Sequence, residues 1–375
     1  MTPRATDEDR RRLVDDFVRY CEIPSPSRRE RAMADAVAAD LRALGLEVTE
    51  DASGPETGSD TGNLLARVPG PEGARTILLC AHLDTVPLEG PVEVVREDGV
   101  LRNRHPAILG ADNKAAVATI LAATRVLLRE GPPVGLELLF TTCEEQALAG
   151  AKAFDASVLR SEFGFVFDHA SPIGELIVAA PTYYRLVAHV TGKAAHAGIR
   201  PEAGHNAIAA AALALSRLRL GRVDEETTAN VGRIEGGTAP NVVAERCRVE
   251  LEARSLDPQK ASDKVTEIVD TFTDAAGDVS CDVDVVVEEM FRAYRLPRNA
   301  PPVVAAASAL EDLGFEPRYV PTGGGSDANV FINAGLPVLN VANGTERNHE
   351  PDERVAVAAL ETMLDLTLGI VARSA

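Results

Sequence analysis

Cysteine is scarce in this chain of 375 residues: Cys21, Cys80, Cys143, Cys247 and Cys281 are scattered, odd in number and form no C-x-x-C pair. That pattern indicates neither a disulfide framework nor a cysteine-based zinc site, and reads as reduced, buried small hydrophobes. Lysine is equally sparse, with only Lys114, Lys152, Lys193, Lys260 and Lys264. Together with arginine there are 38 basic residues against 57 acidic ones, a formal charge of −19. Nucleic-acid binding needs a basic stripe, whereas arginine here is interspersed with acid, so a polyanionic partner is disfavoured. Such acidity also hints at a high-salt cytoplasm, where ions screen self-repulsion. Long hydrophobic runs are missing too. The longest uninterrupted one, 207–215, is far short of the roughly 18 to 20 residues of a bilayer span. The charged opening MTPRATDEDRRRLVDDF lacks the apolar core of a secretory signal, so cytoplasm is the expected location.

What is present is a globular composition, 45% hydrophobic and 25% charged, long enough for two or three domains of roughly 150 residues each. Apolar positions three or four apart predict helix over 8–46, ended by Gly45. Strands are expected at 46–50, 63–68, 76–81, 135–141 and 163–168, with a helix over 113–129. The run TILLCA fits a strand buried on both faces of a sheet that includes parallel pairs. From about residue 181 the predicted order becomes strand, helix, strand, strand, helix, strand, which is the ferredoxin-like β-α-β-β-α-β. Helix and buried strand resume at 301–314 and 335–342, and a helix over 356–371 closes the pattern. The expected architecture is therefore α/β, with a mixed, largely parallel sheet covered by helices. A smaller α+β domain, 181–292, is inserted between catalytic segments 1–180 and 293–375.

Strand after predicted strand ends in an acidic residue or a histidine. His82 and Asp84 follow TILLCA, Asp112 lies in ILGADNKAA, and Glu144-Glu145 follow LELLFTTC. Asp168 ends FGFVFD, and His349 follows LPVLNV in a polar loop. In an open α/β sheet the carboxyl ends of parallel strands face one crevice, where these groups would converge. Two histidines with several carboxylates and no cysteine make an N/O ligand set suited to zinc, cobalt or manganese. With i and i+2 on one side of a strand, Asp84 could hydrogen-bond His82 and fix the tautomer that presents nitrogen to a metal.

The strings AHLDTVP, ILGADNKAA, TTCEEQALAGAKAFD, GKAAHAG, GGTAPNVVAE, GGGSDANVF and NHEPDE resemble those of a known family over nearly the whole chain. It comprises the dizinc exopeptidases and deacylases that include peptidase T, carboxypeptidase G, aminoacylase and succinyl-diaminopimelate desuccinylase. ILGADNKAA, GKAAHAG and GGGSDANVF look most like the peptidase T-like branch. The resemblance implies two divalent ions, one held by His82 and Asp168, the other by Glu145 and His349, with Asp112 bridging them. Asp84 would orient His82, and Glu144 would be the general base. In the family the histidine matching His196 reaches a neighbouring subunit's active site to stabilise an oxyanion. Asn241, Arg254 and Ser326 match positions that bind the substrate carboxylate or line its pocket.

The resemblance implies a homodimeric amide hydrolase, with an aminopeptidase of di- and tripeptides as the first reading. An N-acyl amino acid deacylase is a rival using the same metals and base. A third reading, an inert binding protein on the same fold, is opposed by the presence of every metal-site and base position. The glycine run 323–325 lacks the Gly-Lys-Ser/Thr ending of a phosphate loop, which excludes an NTPase.

Overall fold

The computed structural model describes residues 3–375, and they divide into two compact units. One comprises the chain up to Ala179 together with Arg295–Ala375, the other Ala180–Tyr294.

The first unit is built on four adjacent parallel strands, in spatial order Gly135–Thr141, Thr76–His82, Phe163–His169 and Val338–Ala342. Leu64–Val68 extends the sheet antiparallel on one side and Glu175–Ala180 on the other, so it is mixed. Every residue of Gly135–Thr141 is buried, and all of Thr76–His82 but its first residue. That is what helices on both faces of a parallel sheet require, and it explains the unbroken apolar runs. The exception, Glu137, is paired with Arg67 Nε at 2.9 Å and accepts the N–H groups of Arg160 and Ser161, so its buried carboxylate oxygens have partners. Helix Ala111–Glu130 packs on Thr76–His82 and against helices Asp7–Cys21 and Val357–Arg373. It is buried through most of its length, as its alanine-rich, apolar circumference demands.

The predicted single helix over 8–46 is two, Asp7–Cys21 and Arg31–Ala43. Pro24 and Pro26 interrupt it, since proline donates no N–H and disfavours helix in the residue before it. A small antiparallel sheet was not expected: Thr345–Glu346, Arg354–Ala356, Val100–Asn103 and Val94–Glu97, in that order. Its strands are two to four residues long, too short to show a period of two. Arg354 pairs with Arg102 and Ala356 with Val100. The chain leaving Asn103 toward Asp112 and the chain arriving from His349 therefore emerge at the same end.

The second unit is an antiparallel sheet. Its main strands run Thr227–Gly236, Arg246–Ser255, Thr182–Thr191, Asp282–Phe291, the ferredoxin-like order. Alternate residues of Arg246–Ser255 are buried, so one face is covered, here by helices Ala207–Arg217 and Pro258–Asp278. Asp257 accepts the N–H of Gln259 at 2.8 Å and Pro258 takes the first helical position, a cap worth about 1 kcal/mol. Phe272 and Ile268 of that helix are fully packed against Leu186, Val249 and Leu251, each such burial contributing roughly 1.5–3 kcal/mol.

Candidate metal centre

Because the four central strands run parallel, their carboxyl ends lie along one edge, and each delivers a side chain there. His82 is the last residue of its strand, in register with Thr141, after which come Glu144 and Glu145. Asp168 is the penultimate residue of the next strand. Asn340 fixes it by accepting its N–H at 3.0 Å and donating to its carbonyl at 2.9 Å.

His82 is buried, with Nε2 3.1 Å from Asp112 Oδ1 and 3.6 Å from Asp168 Oδ1. His349 Nε2 lies 3.2 Å from Asp112 Oδ2 and 2.8 Å from Glu145 Oε1. The two oxygens of Asp112 therefore face two different imidazoles. One ligand atom each from His82, Glu144 and Asp168 lies within 4.8 Å of the others, and the same holds for His82, Asp112 and Glu145.

Asp84 meets His82 on Nδ1, the ring nitrogen turned away from Asp112 and Asp168. His82 Nδ1 is 2.9 Å from the Asp84 backbone carbonyl and 3.4 Å from its carboxylate. A carbonyl only accepts, so Nδ1 carries a proton, and Nε2 is the nitrogen that faces Asp112 and Asp168 and would be offered to a cation. The strand ends at His82, so Asp84 lies just beyond it and faces Nδ1 with its carbonyl at the shorter distance and its carboxylate at the longer. Its carboxylate also accepts the N–H of Glu144 at 2.9 Å, that of Glu145 at 3.2 Å and the Ser27 hydroxyl at 2.7 Å. Upstream, Asn63 Oδ1 accepts the N–H of Thr142 and Glu30 Oε1 that of Cys143, both at 3.0 Å. Four consecutive amides are thus held by side-chain oxygens, and Cys143 is kept at φ 50°, a left-handed conformation costing on the order of 1 kcal/mol or more.

Burial, reinforced by the charge of Asp168, pushes the Glu144 carboxyl well above its usual range. Burial likewise raises Glu145, and burial with the Asp112 charge raises Asp168. Burial would raise Asp112 as well, but the two imidazoles outweigh it and hold its carboxyl below the ordinary range. Asp112 and Glu145 push His349 up to about 10. On His82, Asp112 and Asp168 overcome the burial that disfavours its charge. Four carboxylates share two imidazoles here, so the site is short of positive charge. Oxygen and nitrogen donors with that deficit fit divalent cations, which remove the mutual repulsion of the acids.

Three residues missed in the sequence complete the surroundings. Asp327, one position after Ser326, is buried beside Thr141, whose hydroxyl it accepts at 2.5 Å, and burial pushes its carboxyl up to about 7. Glu30 holds the Cys143 amide, as described. Glu353, the last residue of NHEPDE, accepts the N–H groups of Leu109, Gly110 and Asp112. Asp327 and Glu353 stood inside quoted strings; nothing in SRRERAM singles out Glu30. Ser326 itself is buried at the start of helix Asp327–Asn333, its hydroxyl 3.2 Å from Asn340 Nδ2.

The remaining candidates lie in the second unit. His196 and Asn241 are exposed neighbours: Ala197 donates to the Asn241 carbonyl at 2.9 Å, and His196 bridges to Val242. Arg254 stacks on Tyr183, 4.1 Å from the ring centre, and pairs with Glu252 at 3.2 Å.

An α/β sheet with convergent histidines and carboxylates at its strand ends is a hydrolase frame, and similarity to known proteins agrees. Residues 78–373 match the model of peptidase family M20/M25/M40, and the chain belongs to that family. The uncharacterized protein YqjE of Bacillus subtilis (strain 168) is 36% identical over 366 residues, 97% of this chain and 99% of that protein. The crystal structure of aminopeptidase PepT from Bacillus cereus ATCC 10987 superposes with a TM-score of 0.90 at 35% identity, covering 97% of this chain and 98% of that one. A tripeptidase from Staphylococcus aureus subsp. aureus Mu50 gives 0.94 at 31%, with the same coverage.

Proposed function

We propose that the protein is a metal-dependent aminopeptidase of di- and tripeptides. The observation that carries the reading is the Asp112 carboxylate, with one oxygen toward His82 and the other toward His349, the arrangement of a ligand shared between two cations. His82 and Asp168 would hold one ion, Glu145 and His349 the other, zinc being the first choice and cobalt or manganese the alternatives. Bound there, such ions supply Lewis acidity, acidifying water and polarising an amide carbonyl. Glu144 takes the proton from the attacking water on its carboxylate and delivers it to the leaving amine. Asp84 holds the Glu144 and Glu145 amides so that the adjacent carboxylates keep separate tasks.

The substrate end of the reading rests on kinship with an aminopeptidase and a tripeptidase across nearly the full chain. Asn241, Arg254 and Ser326 would bind the peptide, and the 180–294 unit would pair two copies so that each lends His196 to the other. Five free, buried cysteines suit a reducing cytoplasm. No helix among the described residues is long and apolar enough to cross a membrane.

The test is a chelated, metal-free sample assayed with tripeptides, dipeptides, and acetyl- and succinyl-amino acids before and after zinc, cobalt or manganese is restored. Activity is expected only with metal, and on free-amino peptides. Full activity without metal would overturn the mechanism, and turnover of acylated amino acids alone would make the enzyme a deacylase.

A further inference from the structure

The chain enters helix Ala111–Glu130 through Leu109 and Gly110, and its backbone is not yet helical at Asp112 and Asn113, so the N–H groups of this entry lack partners within the helix. Glu353 supplies them from elsewhere. It is buried, 1% exposed, with Oε2 accepting the N–H of Leu109 at 2.8 Å and of Gly110 at 2.7 Å, and Oε1 that of Asp112 at 2.9 Å. Four residues earlier in the same turn stands His349, whose imidazole reaches the Asp112 carboxylate at 3.2 Å. The turn is closed by its own bonds, Glu350 N–H to the Arg347 carbonyl and Glu353 N–H to the Glu350 carbonyl, and by the pairing of Thr345–Glu346 with Arg354–Ala356. One turn therefore grips Asp112 twice, by its backbone through Glu353 and by its side chain through His349. A brace of the fold alone would need no such coincidence.

We propose that Glu353 is a positioning residue of the metal centre, fixing the spacing between Asp112 and His349 before any ion arrives. This rests on the two-cation reading above. A carboxylate that holds a ligand's backbone acts as the partners behind metal ligands do, whose loss typically costs about 10- to 100-fold in affinity or activity. The ion between Asp112, Glu145 and His349 should suffer most, because both of the elements that Glu353 joins contribute to it.

The experiment uses the full chain stripped of metal, cobalt as the probe, and three readouts: hydrogen exchange at 109–112, cobalt titration, and the unfolding midpoint. In the metal-free wild type those amides should already exchange slowly, and cobalt should fill two sites. Glu353→Gln, nearly isosteric, should lose that protection and keep one ion. It should bind the second at least about tenfold more weakly, with the metal-free midpoint little changed. A lowered midpoint with both ions bound normally would make Glu353 a brace of the fold only and overturn the proposal. So would wild-type amides that become protected only when cobalt binds, a readout that decides the matter even if the variant fails to fold. A wild type that binds no cobalt while its amides are protected would instead refute the two-cation reading.

Discussion

Asp84 grips Glu144 by its backbone, Oδ1 to N–H at 2.9 Å, while its second oxygen holds the next amide, that of Glu145. A side chain fixed in this way directs the proposed base without touching substrate. Asp84→Ala should lower kcat by about 10- to 100-fold, with KM far less affected. Steady-state kinetics with metal analysis checks this. Unchanged kcat would show that the loop is held well enough by Asn63 and Glu30.

Base and ligand can be separated by neighbouring substitutions. Glu144→Gln removes a proton acceptor and should retain two ions while losing several orders of magnitude in rate. Glu145→Gln should weaken one metal position instead. Because Glu144 shares a cluster with His82 and Asp168, metal content is the deciding measurement: if Glu144→Gln alone emptied a site, the roles would be reversed.

His196 stands exposed in the second unit. If it completes the site of a second copy, His196→Ala should lose about 10²- to 10³-fold in turnover with its metals intact. Mixed and reassociated with Glu144→Gln, it should regain activity, since the chain carrying His196→Ala keeps its base and receives an intact imidazole. No recovery after verified subunit exchange would exclude a donor in trans.

The charge of −19 carries a prediction about salt. If the acidity serves a salty cytoplasm, unfolding midpoints should rise as KCl goes from roughly 0.1 M toward 1 M, where the screening length falls to about 3 Å. A flat or falling midpoint would mark the acidity as incidental.

The central strands were legible because burial on both faces leaves an apolar run, so Gly135–Thr141 could be bounded from LELLFT and its flanking glycine. Between Cys21 and Arg31 the sequence reading joins two helices because each side shows the same apolar spacing, although 24–31 holds two prolines and no position of that period. Parallel strand ends are a topological rule, so convergence of His82, Asp168 and the two glutamates could be argued from order alone. The neighbourhood of His349 could not: it depends on Arg354–Ala356 pairing with Val100–Asn103, and so short a ladder leaves no signature. Glu30 and Glu353 act on backbone amides, a role that any acid in the right place can fill and no local pattern announces.

The residues that would grip the ions span 82 to 349 and meet only once the parallel sheet is assembled. An unfolded chain offers them singly, so ions favour the folded state by mass action, about 2.7 kcal/mol for each site at a hundred times its dissociation constant. Folding stability would then serve as a gauge of free metal: in a cell starved of those ions the enzyme would lose its resistance to proteolysis together with its activity, and metal supply would set its abundance.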